Sequence, residues 1–148
     1  QVMIRRAAVE DASRIAEILV FTKRMNYRKI FQNDKVSFGE IQVYPIAKAY
    51  IDNPEKLEGV WVYDDEFVKG MLHIAGDRIE ELYVDHFFEN RGIGGELIQF
   101  AIGKNCRYLW VLEKNADARR FYERYGFTVT GKKQFEEGTT EYIVELKR

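Results

Sequence analysis

Apolar positions along this chain change period from element to element. Residues 3–8 alternate weakly and predict a first strand, β1. Glu10 and Asp11 follow as acids suited to a helix N-terminus, and Ala12, Ile15, Ala16 and Leu19 recur at spacings of three and four, so a helix α1 is expected over residues 12–22. Residues 23–34 mix cations with Tyr27, Ile30 and Phe31 without a clean period and read as a loop. Ser37 and Glu40 have the spacing of a capping box, which places a second helix α2 over 38–51, ending before Asn53 and Pro54. From Val60 the period drops to two, and the turn-forming runs 64–66 and 75–77 divide residues 60–84 into an antiparallel meander of β2, β3 and β4.

Between residues 79 and 101 the pattern reads strand, glycine-bearing turn, helix. Leu82, Tyr83 and Val84 favour an extended strand, and Leu97, Ile98, Ala101 and Ile102 recur at helical spacing in α3. Gly92, Gly94 and Gly95 lie at the junction, where the first helical N–H groups have no internal partner and the helix dipole favours negative charge by roughly 0.3–1 kcal/mol per anion. Glycine there lets a phosphate approach bare amides, and Arg91 adds a fixed positive charge. This local chemistry points to a diphosphate. A dinucleotide-binding fingerprint would need glycine at Leu97, and a P-loop would need Lys then Ser or Thr after Gly95, where Glu96 and Leu97 stand.

Beyond the turn, residues 108–112 form a short apolar run that suits a buried strand β5 parallel to β4. Asn115 can cap a helix α4 that Gly126 can end, and residues 129–134 and 141–146 read as a closing hairpin of β6 and β7 around Gly138 and Thr139.

The 148 residues suit a single domain, 1–148, and 46% hydrophobic with 14% aromatic content can build a core. A net charge of −1 provides no general attraction to nucleic acid or membrane surfaces. One cysteine, Cys106, excludes an internal disulfide, and no signal-peptide pattern or bilayer-length apolar run is evident, so a cytoplasmic setting is expected. His73 has no Cys, Asp or second His nearby in the pattern and reads as structural, as does His86 in the loop after Val84, and metal-ligand spacing is absent.

Two motifs carry a family resemblance. Strand, loop, then Arg91-Gly92-Ile93-Gly94 opening an amphipathic helix resembles the pyrophosphate-binding motif of the GNAT superfamily of N-acetyltransferases, Gln/Arg-x-x-Gly-x-Gly/Ala, with Glu89 where Gln or Arg is usual. The superfamily's second pattern, Asn-x-x-Ala-x-x-Phe/Leu-Tyr-x-x-x-Gly-Phe, is matched by Asn115, Ala118, Phe121, Tyr122, Gly126 and Phe127.

The resemblance implies an α/β fold, a GNAT-like mixed sheet ordered β1-α1-α2-β2-β3-β4-α3-β5-α4-β6-β7, with parallel β4 and β5 splayed apart to admit acetyl-CoA as co-substrate. It further implies pantetheine against the backbone of Tyr83 and Val84, and pyrophosphate on Asn90, Arg91, Gly92, Gly94 and Gly95. Asn115 and Phe121 would then contact the cofactor, and Tyr122 would also protonate the departing thiolate. The acceptor would be an amine, on a small molecule or a protein, taken by a monomer or homodimer, with Tyr27, Phe31, Phe38 and Tyr44 lining its mouth by analogy. Glu80, Glu81 or water could serve as general base. Alternation puts Glu81 with Tyr83 and away from Leu82 and Val84, which favours Glu81, whereas a bulge in β4 would invert that choice. A CoA-binding sensor with weak or no catalysis is the alternative reading.

Overall fold

The fold is seen in a computed structural model that describes residues 1–32, 34, 35, 38 and 41–148. Its elements are β1 (Val2–Arg6), α1 (Ala12–Phe31), α2 (Val43–Asp52), β2 (Val60–Asp65), β3 (Phe67–Ala75), β4 (Arg78–Val84), α3 (Ile93–Gly103), β5 (Tyr108–Leu112), α4 (Ala116–Arg124), β6 (Thr128–Phe135) and β7 (Tyr142–Lys147). The order along the chain is the expected one.

The strands form one seven-stranded sheet in the order β1-β2-β3-β4-β5-β7-β6, antiparallel except for the β4–β5 pair. Alternation within the strands divides the core between the two faces. One face buries Leu72, Ile79, Leu109 and Leu146 against Leu97, Ile98 and Ala101 of α3, with Phe127 beside them. On the other face Val60, Val62, Val68 and Met71 meet Ile15, Ile18 and Leu19 of α1. The turns are set by backbone rather than packing: Glu66 (φ 69°) separates β2 from β3, and Gly76 (φ 61°) separates β3 from β4.

Two sequence expectations are corrected. The segment read as a loop from residue 23 continues α1 through Phe31, and the helix ends at Gln32, whose φ of 51° is a left-handed cap. This stretch lacks an apolar stripe, yet it contains neither glycine nor proline, and its Lys, Arg and Met residues are good helix formers, so intrinsic propensity extends a helix already nucleated by packing. The second helix starts at Val43 instead of Phe38, with Pro45 in the first turn, where no N–H is needed. The predicted box residues Ser37 and Glu40 lie outside the described residues.

Candidate active site

β4 and β5 pair at only two positions, Arg78 with Tyr108 and Ile79 with Leu109, before they part. The cause lies on the other edge of β4. Against β3 the register runs Leu72 to Leu82 and His73 to Glu81, then jumps to Ile74 with Ile79, leaving Glu80 unmatched. That extra residue is a bulge, which bends a strand and steepens its twist, and here it turns β4 away from β5 immediately after their last shared pair. Glu80 is exposed. Beyond it the simple alternation holds: Leu82 and Val84 pack toward α3, while Tyr83 packs toward α1 and α2. Glu81 falls on Tyr83's side, as expected from the sequence. The bulge inverts the faces only before Glu80, so Glu81 stays on the side of Tyr83.

The parting strands open a cavity of about 820 Å³, walled on one side by Leu82, Tyr83 and Val84. Asp85 N–H bonds back to the carbonyl of Lys69 on β3 at 2.9 Å. Because successive residues of a strand direct their N–H groups to opposite edges, the Val84 N–H is aimed into the gap.

The opposite wall is the glycine turn, with Asn90, Gly92, Gly94 and Gly95 all on the cavity. Asn90 (φ 62°) and Gly92 (φ 86°) both adopt left-handed backbone, which turns the chain so that α3 begins at Ile93. The turn is anchored from behind. Asp85 accepts the Phe87 N–H at 2.9 Å and a bond from Arg14 of α1 at 2.8 Å, and Arg14 also donates to the Val68 carbonyl. Arg91 stands beside the turn, its guanidinium 5.4 Å from the centre of the Phe88 ring and outside the cavity lining. Glu89 lines the cavity, with its carboxylate 3.8 Å from His86 Nδ1.

From α4, Asn115 and Phe121 complete the lining. The Asn115 side chain accepts the Ala118 N–H at 3.2 Å, the N-cap expected from its position. Phe121 lies against Gly94, where a Cβ would stand 3.4 Å from its ring. Tyr122 is half-buried outside the lining and packs edge-on to Phe121 and Phe127. Of the expected site residues, Tyr83, Val84, Asn90, Gly92, Gly94, Gly95, Asn115 and Phe121 line one cavity, whereas Arg91, Glu81 and Tyr122 do not. Of the residues expected at an acceptor mouth, Phe38 and Tyr44 are exposed and Phe31 is half-buried, while the side chain of Tyr27 lies outside the described residues.

The sequence pattern presents His73 as structural, and the fold puts it beside Glu81: Nδ1 stands 3.5 Å from the carboxylate. Glu81 raises the imidazole pKa above its ordinary value against the opposing effect of burial. Tyr50 of α2, packed on the same face of the sheet, feels the Glu81 charge; burial and then that charge push its phenol up to about 12. On the far side of the sheet Tyr63 donates to Glu96 of α3 at 2.8 Å, and burial with that bond pushes its phenol up to about 12. Cys106 is buried away from the cavity, with its thiol pKa raised by burial. Among the described residues no three His, Cys, Asp or Glu side chains gather as metal ligands, and no helix is long and apolar enough to cross a membrane.

A family model for the acetyltransferase (GNAT) domain matches residues 56–129, half of the chain. A probable N-acetyltransferase of Mycobacterium tuberculosis is 38% identical over 69 residues, which are 45% of this chain and 40% of that protein. YjaB of Salmonella typhimurium, a peptidyl-lysine N-acetyltransferase, is 30% identical over 88 residues, 57% of this chain and 59% of its own. The chain thus spans about half the length of these curated relatives. Among solved structures, an N-acetyltransferase of Staphylococcus aureus superposes with a TM-score of 0.76 at 18% identity, covering 97% of this chain and 98% of that one. YncA of Salmonella typhimurium, solved with its cofactor acetyl-CoA, gives 0.68 at 21% identity over 100% and 93%.

Proposed function

The chain belongs to the GNAT acetyltransferase family, and on that premise we propose that it transfers the acetyl group of acetyl-CoA directly to an amine. The observation that carries this reading is the gap between β4 and β5, which opens onto the bare amides of the Gly92 turn. A strand-like pantetheine would lie along Tyr83 and Val84, and its pyrophosphate would rest on Asn90, Gly92, Gly94 and Gly95, with Arg91 adding charge. Asn115 and Phe121 would hold the cofactor from α4. The Val84 N–H is positioned to steady the oxyanion as nitrogen attacks the thioester carbonyl, since a donor fixed in a water-poor cleft needs little reorganisation. The C–N bond forms, the C–S bond breaks, and the thiolate leaves toward Tyr122.

A lysine-like amine with pKa near ~10.4 is neutral at pH 7 only at a cost of roughly 4.6 kcal/mol, so a base is needed, and Glu81, on the α1 and α2 face of β4, is the carboxylate assigned to that role. The amine of a lysine side chain is the acceptor class supported by the name of the Salmonella relative. A cytoplasmic setting suits the single buried cysteine. Calorimetric titration with acetyl-CoA tests the cofactor half of the proposal. Thiol release with a panel of lysine peptides and small amines tests the transfer, and tight binding without any release would turn the reading toward an acyl-CoA sensor.

A further inference from the structure

The bulge that opens the cofactor gap also sets which side chain stands beside Glu81. A plain hairpin from the turn at Gly76 would oppose His73 and Glu80; the extra residue advances β4 by one, so His73 meets Glu81 instead. Both side chains then lie on the α1 and α2 face, about a quarter exposed each (29% and 24%). The imidazole Nδ1 faces the carboxylate at 3.5 Å, and the other edge of the ring lies toward Gly59, with Cδ2 3.6 Å from a Cβ built there. Among the described residues Nε2 has no hydrogen-bond partner, and it is not among the buried unpartnered atoms, so it reaches solvent.

We propose, on the acetyl-transfer reading above, that His73 is where the acceptor amine's proton comes to rest, with Glu81 as the carboxylate that links it to the cleft and stabilises the imidazolium. The ammonium loses one proton, the neutral imidazole gains one, and Glu81 is anionic before and after. In either tautomer the resulting imidazolium keeps an N–H directed at Glu81. A carboxylate near ~4.3 is a weak sink for a proton from an amine, whereas an imidazole held above ~6.5 lies closer to the working pH. The groups facing His73 favour its charged form. Glu81 and Glu80 on β4 are acidic, Val60 opposite on β2 is neutral, and Tyr50 on α2, on the same face of the sheet, stays a neutral phenol.

The sign of the pH effect follows. Glu81 raises the imidazole pKa, so the proton-accepting neutral form is present above that raised value and disappears as pH falls through it. kcat/KM should therefore rise with pH along a limb in or above the ordinary histidine range. Three readouts on wild type, His73→Gln and Glu81→Gln test this: the kcat/KM pH profile with a reactive amine, acetyl-CoA affinity by calorimetry, and thermal melting. His73→Gln is expected to remove the histidine limb and lower kcat/KM about 10²-fold at neutral pH, with acetyl-CoA affinity unchanged. Glu81→Gln should also lower kcat/KM, because the link to the cleft is lost, and move whatever histidine limb remains down, toward ~6.5 or below. If the limb stays in place in folded His73→Gln, the inference fails and Glu81 or water is the base. If wild type neither binds acetyl-CoA nor releases CoA with any amine, the acetyl-transfer reading fails first, and the role of His73 falls with it.

Discussion

Tyr125, the C-cap of α4, holds its hydroxyl 2.5 Å from where a Cβ on Gly95 of α3 would stand, so a methyl group there would displace the phenol. Gly95→Ala must push that phenol aside, and overpacking of this kind costs about 1–3 kcal/mol. Removing the hydroxyl removes the clash, because the next ring atom, Cζ, is 3.7 Å away, an ordinary contact. Gly95→Ala should therefore lower the melting temperature, and Tyr125→Phe should restore most of the loss in the double variant. Simple additivity of the two single changes would contradict the contact.

Gly94 is a different case, although it is the next residue. A Cβ there meets the Phe121 ring at 3.4 Å, which is tolerable, but the two further methyls of Val would compete for space on the cavity wall. Gly94→Val is expected to melt near the wild-type temperature and to bind acetyl-CoA at least tenfold more weakly. Wild-type affinity in the folded variant would move the pyrophosphate elsewhere.

The elements that are legible in the sequence are those signalled by local chemistry. Turn residues divided the meander near Glu66 and Gly76, and Asn115 and Gly126 bounded α4. Residues of the glycine turn and of the α4 motif line one and the same cavity. The remainder depended on properties that local pattern does not encode. A bulge has no composition signal, so nothing in Glu80 announced that His73 would oppose Glu81, although counting back from the Gly76 turn places His73 within one residue of it. The second half of α1 carries no apolar stripe because that segment is helical by propensity.

Glu145 gives the fold a predictable acid sensitivity. Its side chain, 4% exposed, accepts from Arg78 Nη2 at 2.8 Å and from the Thr130 hydroxyl at 3.0 Å. The Arg78 guanidinium holds the carboxyl below its usual range despite burial. A depressed folded-state pKa stabilises the protein fully above the unfolded value, near ~4.3, and that stabilisation is lost as pH falls through the folded value. Asp11, held low by Arg5 at 2.8 Å, acts with the same sign. Glu145→Gln should cost roughly 1–3 kcal/mol at neutral pH and flatten the stability loss below ~4, leaving the Asp11 share in place. Denaturant unfolding at a series of pH values measures both effects, and an unchanged acid slope would exclude Glu145 as a source.

Tyr122 is the residue whose packing and chemistry most need to be separated. Its ring packs edge-on with Phe127 at 6.1 Å and Phe121 at 5.2 Å between centroids, so it has a structural reason to be aromatic whatever its hydroxyl does. Full proton transfer to the departing thiolate is uphill, since a phenol titrates near ~10 and a thiol near ~8.5, a gap of about 2 kcal/mol. A hydrogen bond that strengthens as the thiolate forms avoids that cost and contributes mainly in the transition state, about 10²-fold in rate. Tyr122→Phe keeps both ring contacts and deletes only the oxygen. It should lower kcat by about that factor while acetyl-CoA affinity and melting temperature stay near wild type. Tyr125 supplies the control, because its hydroxyl lies over Gly95 on the cavity wall rather than beside Phe127. Tyr125→Phe should leave kcat unchanged. If Tyr122→Phe turns over at the wild-type rate and Tyr125→Phe does not, the hydroxyl that serves the thiolate is the one on Tyr125, and Tyr122 belongs to the aromatic core alone.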